Sequence, residues 1–162
     1  MNEAGDVSAL ELGALLCSRV CHDVISPVGA ITNGLEVLAD DDDPEMRAHA
    51  MELITKSAAQ ASAKLQFARL AFGAAGSAAA ELDLGDAKAV AEGLMKSEKP
   101  SLTWDAPHAT IGKDYVKLLL NMLLIGISSI PRGGDISVVV ASDLAQLADE
   151  AAVLVAHPPL HG

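Results

Sequence analysis

Aromatic residues are scarce in this chain, at 2% of its 162 residues. Hydrophobic residues nevertheless make up 51%, so alanine, leucine and valine must supply most of the packing. Such side chains suit close-packed helices. A chain of this length can bury one sizeable core or two small ones.

Basic residues are also few. The chain has 11 Lys and Arg against 22 Asp and Glu, a formal net charge of -11, which argues against a nucleic-acid or anionic-membrane surface. The acidic N-terminus lacks the basic and apolar regions of a signal peptide, and the longest apolar run, residues 116–130, is too short to span a bilayer. The sequence therefore predicts a cytoplasmic protein that binds neither nucleic acid nor membrane.

Cysteine is limited to Cys17 and Cys21, four residues apart and next to His22. Two thiols and one imidazole are one ligand short of a closed zinc site, and His22 projects away from both sulfurs on a helical wheel. The same spacing on one helix disfavours a disulfide. We expect reduced, buried packing cysteines and no metal site.

The chain does contain one long helical pattern, over about residues 9–39. At about 100° per residue, its apolar side chains fall within one third of the circumference and predict a core-facing stripe. Pro27 is expected to kink this helix one turn beyond His22. The stripe comprises Leu10, Leu16, Cys17, Val20, Val24, Val28, Ile31, Leu35 and Leu38. The opposite arc, expected to face solvent, carries Ser18, Arg19, His22, Ser26, Gly29, Asn33 and Glu36.

A second helix is predicted after an acidic turn, with Asp43 as its N-cap, Pro44 at its first position and Gly73 at its end. Its apolar residues recur at spacings of three and four, the coiled-coil period: Met51, Ile54, Ala58, Ala61, Leu65, Ala68 and Phe72. One hairpin cannot cover both apolar stripes, whereas two copies form a four-helix bundle, so the pattern predicts a homodimer.

A docking surface around His22 is also expected. Counting back from the turn places His22 roughly level with Ser62 on the second helix. The residues predicted to bind a partner there are Ser18, Arg19, Ser26, Ser62, Gln66 and Arg69.

The rest of the chain has a mixed α and β pattern. We predict three parts: a helical hairpin over residues 1–73, a linker over 74–81 and an α/β domain over 82–162. Strands are expected at 82–84, 101–104, 136–140 and 152–156, and helices at 86–97, capped by Asp86, and at 113–130. The last helix is so apolar that Ile125 is expected to be buried.

A family resemblance starts from His22-Asp23-Val24-Ile25-Ser26-Pro27. This segment resembles the H-box of histidine-phosphotransfer domains in two-component signalling, in which an acidic residue follows the histidine and Ser, Thr or Asn precedes a proline. With residues 30–36, the second helix and the C-terminal part, the chain resembles the ChpT-type histidine phosphotransferases of alphaproteobacteria to about residue 141. The resemblance implies a two-helix hairpin that dimerises into a four-helix bundle, followed by a degenerate histidine-kinase-like ATPase α/β sandwich.

The C-terminal part departs from active kinases. Residues 118–125 and the turn at 131–134 are similar to the kinase N-box helix and its following turn. Where the kinases hold magnesium with the second Asn of the box, this chain has Ile125, which cannot ligate a hard cation. No Asp-x-Gly-x-Gly motif follows residues 136–140, so no ATP site is evident, and Asn121 is expected to be a capping or core-edge residue.

The chemistry follows from the exposed imidazole. Its neutral nitrogen is a nucleophile near physiological pH, so His22 is predicted to accept and donate the phosphoryl group. Asp23 either orients the ring or is a surface acid, and Arg19 either contacts the partner or is only solvated. Four other histidines lack an acidic neighbour followed by Ser-Pro: His49 on the second helix, and His108, His157 and His161 in predicted loops.

The resulting hypothesis is an ATP-independent phosphorelay histidine phosphotransferase that passes phosphoryl groups between receiver-domain aspartates. Magnesium is expected to come from the partner receiver domain. The family implies the receiver of a CckA-like hybrid kinase as donor and CtrA-like and CpdR-like cell-cycle regulators as acceptors. Two alternatives stay open: an active histidine kinase lacking a sensor, and a non-enzymatic scaffold that binds receivers.

Overall fold

The computed structural model describes residues 7–40, 42–73, 81–140 and 152–158. Contacts divide the chain into two compact units, Met1–Leu65 and Gln66–Gly162. This division falls inside the second helix, whereas the sequence placed the end of the first domain at residue 73. The reason is that Phe67 and Ala71, near the end of that helix, are buried in the core of the second unit.

Two helices, α1 (Ala9–Asp40) and α2 (Pro44–Ala71), begin at polar caps. At the start of α1, Ser8 Oγ accepts a hydrogen bond from the Glu11 backbone N–H (3.2 Å), and the Glu11 carboxylate accepts one from the Ser8 N–H (2.9 Å). This reciprocal pair is a capping box. As predicted, Asp43 caps α2, accepting a hydrogen bond from the Glu45 N–H at 3.1 Å.

Within the first unit the helices run antiparallel. Arg47, near the start of α2, donates from Nη1 to the Leu38 carbonyl near the end of α1 at 2.6 Å. One turn earlier on α1, Gly34 lies against Ala50 and Ile54. The residues buried in this unit are small or compact: Pro27, Gly34, Ala50, Ser57 and Ala61. The predicted helical hairpin is thus observed, and the kink at Pro27 stays a prediction.

The apolar stripe of α1 is only partly covered within one chain. Leu10, Val28 and Leu35 are exposed, because α2 packs on the neighbouring face that carries Pro27 and Gly34. The described chain likewise leaves both cysteines exposed and unbridged. The expectation of buried packing cysteines is therefore wrong for the single chain.

The second unit combines two further helices with five short strands. Its helices are α3 (Leu84–Met95) and α4 (Lys113–Ser129), and its strands are β1 (Glu81–Asp83), β2 (Ser101–Asp105), β3 (Thr110–Gly112), β4 (Asp135–Val140) and β5 (Ala152–His157). Strand β2 pairs with β4 in parallel and β4 pairs with β5 antiparallel, while β1 and β3 form a separate antiparallel pair. Because β2 and β4 are parallel, α4 lies in the crossover between them.

The core of this unit is aliphatic, as the composition requires. Leu120 and Leu123 of α4 are fully buried with Ala87 and Ala91 of α3 and Ile136 of β4. The last turns of α2 join the same cluster through Phe67 and Ala71. Alanine on α3 lets α4 approach closely, and Phe67 adds a buried aromatic side chain to this mainly aliphatic core.

Several details of the second unit differ from expectation. Helix α3 starts at Leu84 and is capped by Asp83, which accepts from the Gly85 N–H at 2.5 Å, so Asp86 lies in its first turn instead. Strand β3 was not predicted because three residues are too few to show a periodic pattern. In the described structure it pairs with β1. His157 ends β5 rather than lying in a loop. Residues 74–80 of the predicted linker fall outside the described residues, and so does His161.

Ile125 was expected to be buried, and this is wrong. It is 66% exposed, on a face of α4 that it shares with exposed Leu118, while Leu119, Leu120 and Leu123 point into the core. A helix this apolar gives little periodic contrast, so only its packing partners decide which face is covered.

The close approach at Gly34 yields a test. A Cβ there would lie 2.6 Å from Ile54 Cγ1 and 3.2 Å from the Ala50 carbonyl oxygen, whereas one at Gly29 meets nothing within 4 Å. Gly29→Ala should stabilise the helix by up to about 1 kcal/mol. Gly34→Ala gains the same propensity but overpacks the hairpin, which typically costs about 1–3 kcal/mol, so it should melt below Gly29→Ala. Thermal unfolding followed by circular dichroism compares the two, and equal stabilisation would contradict the described packing.

Candidate functional site

His22 lies in the middle of α1 and is the centre of the candidate site. Its side chain is 86% exposed, on the side of the helix away from the packing face. Ser18 and Ser26, four residues before and after it, are exposed on the same face. The imidazole is therefore open to a second macromolecule from solvent, as the sequence predicted.

Asp23 joins His22 to a basic residue. Its Oδ2 accepts a hydrogen bond from Arg19 Nε at 2.7 Å, and its Oδ1 lies 3.3 Å from His22 Nδ1. The Asp23 side chain is only 30% exposed because it lies at the edge of the face that packs on α2. Of the two roles left open for Asp23, the geometry favours orienting the ring.

Two opposing effects act on the Asp23 carboxyl. Partial burial, the largest single effect, raises its pKa, but the hydrogen bonds from Arg19 and His22 and the positive charges of Arg19 and Lys64 together outweigh it. The net result is a pKa below the ordinary value of 3.8. Asp23 is consequently ionised at neutral pH.

Ionisation of Asp23 determines the tautomer of the neutral imidazole. A carboxylate is only an acceptor, so the proton of the neutral ring must lie on Nδ1, which donates to Asp23 Oδ1. Nε2 then carries the free lone pair. Nε2 lies on the far side of the ring from Asp23. The nucleophilic nitrogen is therefore the one that is not hydrogen-bonded within this cluster.

Lys64 on α2 was missed by the sequence analysis. It is half-buried, and its charge acts on Asp23 from the opposite helix. A signal was present, because Lys64 follows Ser57 by one heptad, or two helical turns, on the face that packs on α1. The residues of α2 singled out from the sequence were exposed ones instead.

Comparison with known proteins points to histidine phosphotransferases. A family model described as the histidine phosphotransferase C-terminal domain matches residues 84–157. The protein phosphotransferase ChpT of Brucella abortus (strain 2308) is 59% identical over 136 residues, which are 82% of this chain and 62% of that protein. Over most of its length the chain is therefore similar to the ChpT-type histidine phosphotransferases.

A solved structure supports the same assignment. A bacterial phosphotransferase determined at 1.7 Å superposes with a TM-score of 0.76 at 54% identity, covering 85% of this chain and 64% of that one. This chain therefore spans less than two thirds of the length of either relative.

The predicted partner-binding residues on α2 differ in their placement. Ser62 is exposed in the first unit, but it projects roughly 200° around α2 from Lys64, since each residue turns an α-helix by about 100°. Gln66 and Arg69 are exposed and belong to the second unit. Contact of these three residues with a partner stays a prediction from the register of the two helices.

Apolar side chains next to His22 were also missed. Ile25 is 72% exposed three residues after His22, and Leu15 is 61% exposed two turns before it. Exposed apolar groups beside polar ones are typical of protein docking surfaces. The helical wheel had assigned only polar and small residues to this arc of α1.

Other candidate groups lie away from this cluster. His49 is exposed on α2, with Nε2 3.9 Å from Glu45 Oε1, and His108 is exposed between β2 and β3. Asn121 Nδ2 donates to the Lys117 carbonyl at 2.8 Å and to the Ala71 carbonyl at 3.4 Å, the core-edge role that was expected. Within the described ranges, no three His, Cys, Asp or Glu side chains are grouped as metal ligands.

By length and composition alone, α1 is apolar enough to cross a membrane, the one such helix in the described part of the chain. Arg19, His22 and Asp23 interrupt its middle, and charged groups there are expensive in lipid. The core helix of a soluble protein meets the same criteria of length and composition.

The low pKa of Asp23 predicts a pH-dependent contribution to stability. Because the folded-state pKa lies below the ordinary value of 3.8, the contribution is complete above that value and is lost as pH falls through the folded-state pKa. Asp23→Asn should therefore lower the free energy of unfolding at pH 7 by up to about 1 kcal/mol, as for a partly exposed pair.

The gap between wild type and Asp23→Asn should close as the pH is lowered below about 3.8. Thermal melts at a series of pH values measure it, with Glu52→Gln, an exposed carboxyl on α2, as the matched loss of charge. A gap that persists unchanged at the lowest pH would show that Asp23 does not act through its charge.

Proposed function

We propose that this protein is a phosphorelay histidine phosphotransferase that carries the phosphoryl group on Nε2 of His22. The observation that carries this proposal is an exposed imidazole whose Nδ1 is held by a carboxylate that is itself bonded to Arg19. In this arrangement the ring is oriented before the partner arrives, which is the condition for efficient transfer to a positioned nucleophile.

The proposed step balances without a further reactant. The Nε2 lone pair attacks the phosphorus of an aspartyl phosphate on a receiver domain, an N–P bond forms, and the P–O bond breaks, leaving its electron pair on the receiver carboxylate. The ring then carries a positive charge, which the Asp23 carboxylate stabilises through Nδ1–H. The reverse step passes the group to a second receiver, and the magnesium ion belongs to the receiver.

We propose that this transfer does not use ATP. The support comes from the second unit, where Ile125 occupies the place of the metal-holding Asn and presents an apolar side chain to solvent. Asn121 is engaged by the Lys117 and Ala71 carbonyls. The three-stranded sheet with α3 and α4 is then the remnant of a kinase-like ATPase sandwich, which in this protein serves structure or docking.

We also propose that two copies form a four-helix bundle. In α1, exposed Val28 and Leu35 each follow a buried residue by one position, and in α2 exposed Met51 and Ala58 do the same. Since the helices are antiparallel, the same rotational step on both brings these residues to one side of the hairpin. A second copy would cover that side, which is away from His22.

The partners that follow from the family are those of a cell-cycle phosphorelay. We propose the receiver of a CckA-like hybrid kinase as donor, and CtrA-like and CpdR-like response regulators as acceptors, all acting in the cytoplasm. Ile25 and Leu15 supply apolar contacts beside His22 for such a receiver, and Ser18, Arg19 and Ser26 supply polar ones.

The function is tested by transfer to His22. Incubation with a CckA-like receiver domain, radiolabelled on its aspartate, should leave an acid-labile label on wild type and none on His22→Ala. Because His22 is 86% exposed, the variant loses little buried area and should stay folded.

His49→Ala, the control, removes another exposed imidazole and should accept the phosphoryl group as fully as wild type. Label on His22→Ala would overturn the assignment of the phosphoacceptor. Label arising from gamma-labelled ATP alone would favour the kinase alternative, and a folded wild type that binds the receiver without taking label would favour the scaffold.

The bundle is tested by charging its apolar side. Leu35, 54% exposed, lies on the proposed dimer face, and Leu15, 61% exposed, lies on the His22 side of the same helix. Leu35→Glu places an unpaired charge in the interface and should dissociate the dimer, whereas Leu15→Glu should leave it intact. Light scattering decides, and a monomeric wild type or a dimeric Leu35→Glu variant contradicts the four-helix bundle.

A further inference from the structure

Lys64 is placed at the candidate site by the packing of the hairpin. Ala50 and Ser57 are buried against α1 and Lys64 continues their heptad, so it leaves α2 on the face toward α1. Its half-buried side chain fits that position. Lys64 is thus the next residue at this heptad position after Ala50 and Ser57. Unlike those two residues, it is only half-buried between the helices.

The register of the two helices brings Lys64 level with Asp23. Gly34 lies against Ala50 and Ile54, and Asp23 precedes Gly34 by about three turns. Because α2 runs antiparallel to α1, the residues level with Asp23 lie about three turns after Ala50 and Ile54. That turn of α2 contains Lys64. The electrostatic effect of Lys64 on Asp23 agrees with this geometry.

The two cations act on Asp23 from different helices. Arg19 comes from the preceding turn of α1 and bonds Oδ2, while Oδ1 is left to His22. A carboxylate with a neighbour only on its own helix is free to turn with its side chain, whereas a second charge across the hairpin restrains it from the other side. In a chain with a net charge of -11, this grouping of two cations at one carboxylate is locally unusual.

We propose that Lys64 is a positioning residue for phosphoryl transfer: with Arg19, it holds the Asp23 carboxylate against Nδ1 of His22, so that Nε2 faces the partner. This inference rests on the proposed function and extends it to α2. The hairpin packing is then part of the reaction, since only a folded hairpin supplies the second cation. Lys64 itself touches neither the phosphoryl group nor the receiver.

The role is tested by removing the charge while keeping the stem. Lys64→Met should lower the maximal rate of phosphoryl transfer from a labelled CckA-like receiver domain by about two- to fivefold, the size expected for one partly exposed charge pair. The receiver concentration that gives half the maximal rate should not change. Lys64→Arg should restore the rate, and Lys56→Met, an equal loss of charge on α2 about 12 Å away at 1.5 Å per residue, should match wild type.

A spectroscopic readout separates positioning from folding. Nitrogen-15 shifts of the His22 ring should report the Nδ1–H tautomer in wild type and a mixture of tautomers in Lys64→Met, with the same helical circular dichroism in both. A rate equal to wild type, or a raised half-saturating receiver concentration with an unchanged maximal rate, would overturn the positioning role. Acceptance by His22→Ala would instead overturn the proposed function, so the two failures are distinguishable.

Discussion

The packing of α2 on one face of α1 is the constraint on which the candidate site depends. Pro27 and Gly34 are buried on this face, and the absence of a side chain at Gly34 lets the helices approach closely. Residues on this face are buried, those beside it are half-buried, and those opposite it stay in solvent. His22 falls in the last group and Asp23 in the second, although they are consecutive in the chain.

This difference between neighbours has a chemical consequence. A nucleophile that another protein must reach needs exposure, while the group that orients it needs a fixed position, and one helical step of about 100° provides both. Asp23 remains ionised at the edge of the hairpin because Arg19 and Lys64 compensate for its partial burial. The side of the hairpin away from His22 carries an exposed apolar row, where a second copy is proposed to pack.

The second unit separates a packing face from an exposed face on one helix. Leu119, Leu120 and Leu123 keep α4 in the core, and Asn121 ties it to the last turn of α2 through the Ala71 carbonyl. Ile125 lies on the exposed face of the same helix, so its identity is not constrained by that core. The residues that pack and the residues that face solvent therefore lie on different faces of this helix, and the core depends only on the packing face.

The sequence by itself determined what depends on local order along the chain. The bounds of α1, α2 and α4, the strands β2, β4 and β5, and the exposure of His22 follow from periodicity, caps and turn residues, all of which act within a few positions. The H-box order around His22 likewise indicated the resemblance to histidine phosphotransferases from local sequence alone.

Only the tertiary structure decided the features that depend on which element covers which. The cysteines and Ile125 are exposed because their apolar faces receive no partner within the described chain, and a helical wheel does not say which of two apolar faces is covered. Strand β3 forms by pairing with β1, and Asp83, which caps α3, is the residue of β1 that pairs with Thr110 of β3. Lys64 acts electrostatically on Asp23 from another helix. Sequence alone could not place it there, because the register between two helices is set by contacts such as that of Gly34 with Ile54.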